Sequence, residues 1–212
     1  MASLLSRHSV VSLITGALIP ALATQLANAQ SITAADTATS IQQTDNLYQI
    51  DGGNLSGDNT TLFHQFDQFG LLTEETAQFN HPVAVQSIIG QILGGDASII
   101  DGLLAVEGEA DLYLVNPAGI LFGENTQLDL NGSFSASTAT GLVFDDALLD
   151  TLGTNDFTAL NGAPTGYVFG NNGQNSAVVN TGELAVGSGQ SLTLLGGQVI
   201  NTGRLSAPEG DL

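Results

Sequence analysis

Few side chains in this chain are equipped for covalent or metal chemistry. His64 and His81 are the histidines that follow His8. Without cysteine and without a His-x-x-x-His pair they make a poor metal site, so both are expected to be structural. Asp145 and Asp146 are paired carboxylates of the kind that serve hydrolysis, but adjacent residues on a strand face opposite ways. Lysine and cysteine are absent, and no Gly-x-Ser-x-Gly elbow or phosphate loop occurs. Arg204 is the one base after Arg7, too little positive charge to hold an acidic polysaccharide. The expectation is a protein that is not an enzyme, with no catalytic residue, no metal and no cofactor. The residues with the clearest local logic are Asn116-Pro117-Ala118-Gly119. Asn at i, Pro at i+1 and Gly at i+3 fit a type I turn, with Ala118 acceptable at i+2. Turn chemistry alone makes this a tight corner between two extended segments.

The elements that would carry such a corner show themselves as repeats. Val179-Asn180-Thr181-Gly182-Glu183-Leu184 returns as Ile200-Asn201-Thr202-Gly203-Arg204-Leu205, 21 residues later (201 minus 180). Gly102-Leu103-Leu104-Ala105-Val106 with Leu112-Tyr113-Leu114 returns as Gly182-Glu183-Leu184-Ala185-Val186 with Leu192-Thr193-Leu194, at an offset of 80 (182 minus 102). That offset is close to four periods of roughly twenty residues, the range of solenoid repeats. Strand-sized segments are predicted at 83–92, 99–106, 112–115, 120–122, 128–130 and 134–136, separated by turn signals. Alternation places Leu112 with Leu114, and Leu128 with Leu130, on one face. Asn116, Asn131, Asn180 and Asn201 fall at the corners, where asparagine can take left-handed backbone angles and stack in ladders. The pattern predicts an all-β chain wound as a parallel β-solenoid.

Composition agrees. Hydrophobic residues make up 42%, enough for a core, while charged residues make up only 11% and glycines number 26. Helices would need more lysine, glutamate and arginine on their exposed faces. The formal net charge is −19, which argues against nucleic acid and anionic membrane surfaces as partners. Such a balance suits solubility by self-repulsion; acidic patches that collect divalent cations are the sharper alternative.

Residues 1–29 have the zones of a signal peptide: Arg7 and His8, an apolar stretch over residues 10–23, and the small-x-small site Ala27-Asn28-Ala29. Cleavage between Ala29 and Gln30 is expected, leaving a soluble, exported product. Residues 30–62 are polar and turn-rich, and are expected to cap the first coil, with the β-helix running over 63–212. Phe63, Phe66 and Phe69 recur at a spacing of three, read as a bent strand entering the core. Residues 145–177 are expected to leave the solenoid, with a helical turn at 147–152 and regular coils resuming at Ala177. An unfinished last coil at Leu212 would expose a sheet edge, so the chain is expected to be the front of a longer protein.

Several of these segments also carry a resemblance. The run Leu112-Tyr113-Leu114-Val115-Asn116-Pro117-Ala118-Gly119-Ile120-Leu121-Phe122-Gly123 resembles the Asn-Pro-Asn-Gly-Ile segment of the filamentous haemagglutinin N-terminal domain, or two-partner secretion domain. Leu62 to Phe69 resembles that family's early aromatic segment, Ile88 to Leu104 the stretch before its hallmark motif, and Gly132 to Thr138 its Gly-x-Phe-x-Ala-Ser-Thr stretch. The resemblance covers about residues 34 to 144, and 164–212 is similar to the coils that follow. It implies a right-handed parallel β-helix with an N-terminal cap. It also implies passage through the inner membrane by Sec-type export machinery, then recognition in the periplasm by a dedicated outer-membrane β-barrel transporter with periplasmic domains. A secreted or cell-surface adhesin would follow, touching surface glycans or host and neighbouring cells. By position Asn116, Pro117, Gly119 and Ile120 match the recognition motif, read as an exposed turn whose alteration hinders export more than folding. Ala118 departs from the family's second Asn, and Asn80-His81-Pro82 is a loose echo of the family's other Asn-Pro motif. The competing readings are a structural or carbohydrate-binding solenoid with generic export, and a polysaccharide-active enzyme.

Overall fold

The computed structural model describes residues 31–145, 147–170 and 176–212. The proposed leader, with Ala29 and Gln30, and also Asp146, lie outside the described residues. The chain forms a right-handed parallel β-helix of about six turns with an N-terminal cap. Strands β1 (Ile32–Ala34), β2 (Thr39–Thr44), β3 (Leu47–Gly52), β4 (Asn54–Leu55) and β5 (Thr61–Phe69) come first. β6 (Thr76–Phe79), β7 (Ser87–Ile92), β8 (Ser98–Ile100), β9 (Leu103–Val106), β10 (Asp111–Val115), β11 (Ile120–Phe122), β12 (Gln127–Asp129) and β13 (Phe134–Ser137) follow. After them come β14 (Gly141–Val143), β15 (Leu148–Asp150) and β16 (Gly166–Val168). The chain continues through β17 (Ala177–Asn180), β18 (Glu183–Ala185), β19 (Leu192–Leu195), β20 (Gln198–Asn201) and β21 (Arg204–Ser206).

Each coil visits three faces. The first sheet stacks β5, β7, β10, β13 and β19 in parallel. β8, β11, β17 and β20 form the face that comes next along the coil. β3, β6, β9 and β12 build the remaining face, which β18 and β21 take up again. At the front the direction reverses: β1 and β4 lie antiparallel to β5, and β2 antiparallel to β3.

The 21-residue echo is one full coil, for Asn180 lies beside Asn201 and Leu184 beside Leu205. The 80-residue echo is not four coils. Leu112 lies beside Phe134, 22 residues on (134 minus 112), and Phe134 beside Leu192, 58 residues on (192 minus 134). One coil carries an insertion, and the arithmetic near four periods was a coincidence of its length. Coils also shorten along the chain: in the first sheet Thr61 to Ser87 spans 26 residues (87 minus 61) and Ser87 to Asp111 spans 24 (111 minus 87).

Inward residues form one continuous core. Leu62, Phe66, Ile88, Leu112, Leu114, Phe134 and Leu192 come from the first sheet, with Leu104, Ile120, Phe122, Val178 and Leu184 from the others. The wide early coils are filled by rings: Phe66 lies 5.0 Å from Phe69 and 6.3 Å from Phe79. The spacing of three has two causes. Phe63 and Phe66 point to opposite faces, as an odd spacing requires. Phe66 and Phe69 both point inward because the β1–β5 register skips Asp67, a bulge that bends the strand. Gly90, beside His64 and Leu114, leaves the room that Phe66 needs; a Cβ there would sit 2.9 Å from Leu114 Cδ2 and 3.2 Å from Phe66 Cε2.

The insertion is a second layer. β14, β15 and β16 form an antiparallel sheet. Leu142, Phe144, Leu149 and Leu160 pack on Phe63, Ile89 and Val115, which point away from the solenoid core. Thus β7 is buried on both faces, as its near-continuous apolar run requires. The predicted helical turn at 147–152 is instead strand β15, because Leu149 is needed in this second core; a 3-10 turn occurs at Phe157–Ala159. The middle of the insertion, between the 3-10 turn and β16, is tied to the front of the chain. Asp58 accepts hydrogen bonds from Ser56 Oγ (2.6 Å) and from the Gly162 amide (2.9 Å), and Thr61 Oγ1 donates to the Gly162 carbonyl (2.5 Å). The Ser56 hydroxyl, then the Thr60 and Gly162 donors, hold the Asp58 carboxyl down at about 2 against the effect of burial.

Two predicted strands are shorter than read. Val83 and Ala84 form a turn, with Val83 fully exposed, before the strand begins at Ser87, and 99–106 is broken at Asp101-Gly102 because the coil turns a corner there. At Gly102 a Cβ would collide with the carbonyls of Leu72 and Glu75, so the corner requires glycine.

Candidate functional site

Asn116 directly follows β10 and opens the corner into β11. The Gly119 amide donates to the Asn116 carbonyl (3.0 Å), closing the predicted turn, and the Ala118 amide donates to Asn116 Oδ1 (2.9 Å). Gly119 has φ of 123°, a left-handed angle that favours glycine. The side-chain amide of Asn116 reaches back one coil, donating to the Asp96 carbonyl (2.9 Å) and Ser98 Oγ (3.0 Å). Its backbone amide reaches forward, donating to the Ser137 carbonyl (2.9 Å). One asparagine therefore joins three successive coils.

This geometry overturns the expectation of an exposed turn. Asn116 is 0% exposed, and Pro117, Gly119 and Ile120 are buried with it. The corner is covered because its neighbours stack on it: Gly119 sits against Ala97 of the preceding coil and Ala177 of the following one, and Ile120 pairs with Ser98 and Val178. Only Ala118, at the position of the family's second Asn, is partly exposed. Asp96 and Ser98, which hold the asparagine, were not singled out from sequence. Their signal is weak, a serine two residues beyond a Gly-Gly-Asp turn.

The corner asparagines also depart from expectation. Left-handed backbone among non-glycine residues occurs at Asp45, Asn59, Glu74 and Glu209, not at Asn116, Asn131, Asn180 or Asn201. Asn180 and Asn201 close strands and remain extended, Asn116 directly follows β10, and Asn131 lies two residues beyond β12. Their side chains do the linking: Asn180 Nδ2 donates to Asn201 Oδ1 (2.9 Å), a two-residue ladder, and Asn131 Nδ2 to the Gly108 carbonyl (3.0 Å). Asn80 likewise donates to Asp51 Oδ1 (3.0 Å).

The titratable residues noted from sequence are scattered. His64 is 0% exposed between Phe66 and Phe79, and neither ring nitrogen has a hydrogen-bond partner. Burial pushes its pKa down to about 4, with Asp36 and Asp51 opposing, so the ring is neutral at pH 7. His81 Nδ1 lies 2.9 Å from the Pro82 carbonyl. Among the described residues no three His, Asp or Glu side chains gather where they could hold a metal ion. Arg204 pairs with Glu183 at 3.3 Å, both side chains mostly exposed.

A comparison with curated protein sequences finds no match. Among solved structures, the crystal structure of the HMW1 secretion domain from Haemophilus influenzae is similar, with a TM-score of 0.54 and 21% identity over 84% of this chain. The chain spans 42% of the length of that structure. The crystal structure of the filamentous hemagglutinin secretion domain gives a TM-score of 0.49 and 13% identity, over 86% of this chain and 99% of that one. The HMW1 likeness agrees with the solenoid fold. A family model described as the TPS secretion domain matches residues 24–212, and by that match the chain belongs to the TPS secretion domain family.

Proposed function

We propose that this chain is the export-targeting domain of a two-partner-secretion exoprotein, recognised by a cognate outer-membrane β-barrel transporter through its periplasmic domains. The match of the secretion-domain family over residues 24–212 is the observation that carries this reading. Residues 1–29 serve as a signal peptide for the Sec-type machinery, cleaved between Ala29 and Gln30, and residues 30–62 cap the β-helix of 63–212. The product is secreted or held at the cell surface, where the exoprotein it leads acts as an adhesin toward glycans or neighbouring cells. No catalytic step belongs to the domain, and a charge of −19 argues against nucleic acid.

Asn116, Pro117, Gly119 and Ile120 remain the residues proposed for transporter recognition, but their burial changes when they can act. Side chains enclosed by Asp96–Ser98 on one side and Ser137 on the other are within reach of a partner only before those coils close. Recognition therefore uses the segment while it is extended in the periplasm. Folding outside then hides it, which favours release. Co-expression with and without the cognate transporter tests the proposal. Export to the medium should depend on the transporter, and equal amounts in both cases would defeat it.

A further inference from the structure

The outward face of the first sheet is not wholly covered by the second layer. Across β10, β13 and β19, Tyr113, Ser135 and Thr193 stand in register. Asp111 lies two residues before Tyr113 on the same face, and its Oδ1 accepts the Ser133 amide at 2.7 Å. β16 passes above them, anchored where the Tyr167 hydroxyl meets Ser135 Oγ at 2.6 Å. Between sheet and β16 lies a cleft of about 260 Å³, lined by Asp111, Tyr113, Tyr167, Ser191 and Thr193 among others.

The chemistry of this cleft is specific in kind. The hydroxyls of Tyr113, Ser191 and Thr193 make no hydrogen bond within the described residues, so they are available to a ligand. No Lys, Arg or His lines the cleft, and the chain carries a net charge of −19, so an anionic ligand has nothing to balance it. Burial, then Asp111 and Tyr167, push the Tyr113 phenol up to about 12, which keeps it a neutral donor. Burial raises the Asp111 carboxyl, against the Ser133 hydrogen bonds; such a carboxylate gains from further hydroxyl donors. Two tyrosines fall short of the aromatic cage that holds a quaternary ammonium ion. What the lining matches is a small ring rich in hydroxyls that both donate and accept, with an apolar C–H face for tyrosine. The volume is below the ~300–1,000 Å³ of pockets for drug-sized ligands, which limits the occupant to about one ring.

We propose that this cleft binds one ring of a neutral saccharide, with Asp111, Ser191, Thr193 and the Tyr113 phenol on its hydroxyls and the Tyr167 ring against its C–H face. The proposal stands apart from the export reading, since neither the site nor its test involves the transporter. The test is titration of the purified full chain with methyl glycosides of neutral hexoses and N-acetylhexosamines, followed by ligand-observed NMR. Tyrosine fluorescence is a second reporter, because the chain has three tyrosines and no tryptophan. Saturable binding with a Kd of about 1 mM is expected for at least one glycoside. Asp111→Asn, Tyr113→Phe and Thr193→Val, which preserve side-chain shape, should each weaken it about tenfold while the thermal midpoint confirms folding. The proposal is overturned if no neutral glycoside saturates, if all three variants bind as well as the parent, or if only glucuronate or tetramethylammonium binds.

Discussion

Replacing Asn116 by alanine should unfold the domain more readily, the reverse of what an exposed turn would do. The side chain donates to the Asp96 carbonyl and Ser98 Oγ and accepts from the Ala118 amide, and it is 0% exposed. Alanine would strand all three partners. Ser98 is itself buried, whereas Ala118 and Asp96 lie nearer solvent. Buried unsatisfied groups cost about 1–3 kcal/mol each, so the total is about 3–5 kcal/mol once partial hydration is allowed for. For a domain of this size that lowers the thermal midpoint by roughly 6–20 °C. Asn116→Asp should cost at least as much, because it loses both donors and sets a buried charge against a carbonyl. The assay is circular dichroism of purified protein against temperature and urea, paired with export measured well below the variant's own midpoint. A midpoint within about 2 °C of the parent would refute the structural account. If the variant is folded at the export temperature and still fails to leave the cell, the residue acts in recognition as well.

Three further outcomes are expected. His64 has a folded pKa of about 4 against about 6.5 unfolded, so between those values the unfolded chain binds a proton that the folded one refuses. Its stabilising share is therefore complete above pH 6.5 and declines as pH falls toward 4, by roughly 3 kcal/mol; His64→Leu should remove that part of the slope, and parallel urea stability curves for the two proteins would sink the idea. Asn201→Ala breaks one inter-coil bond to Asn180 and should cost about 0.5–1.5 kcal/mol, seen as faster hydrogen exchange confined to β17 and β20; unchanged exchange there would contradict it. Arg204→Gln removes an ion pair whose side chains are 72% and 62% exposed, so stability should move by no more than about 0.5 kcal/mol, and a salt-sensitive midpoint shift beyond that would contradict the reading.

Much of the solenoid was legible because its signals are local or strictly periodic. Alternating Leu112/Leu114, glycine corners and the echo of Asn180 in Asn201 report one coil's relation to the next. What failed was anything set by contacts between distant segments. The far end of the insertion could be read, with coils resuming at Ala177, but its start was set at 145, after β14 (Gly141–Val143) had already left the solenoid, and its strands could not be read. Leu149 is apolar in a polar stretch because it meets Phe63 and Ile89, far away in sequence. The same limit applies to the candidate site. Turn chemistry gave the type I corner at Asn116–Gly119 correctly, while its burial depends on the coils above and below. The cleft near Tyr113 could not be foreseen at all, since Tyr167 arrives from the insertion.

The tie between Asp58 and Gly162 imposes a timetable on assembly. A chain that emerges from its N-terminus presents the carboxylate 104 residues before the amide that it must hold. Until residues 142–160 arrive, Phe63 and Ile89 lack the outer packing that Leu142, Phe144, Leu149 and Leu160 supply. The later rungs, β17 to β21, need nothing but their immediate neighbours. On the export reading proposed above, outward folding would advance in one long first stroke and several short ones, with backward slippage hardest once residue 162 is outside.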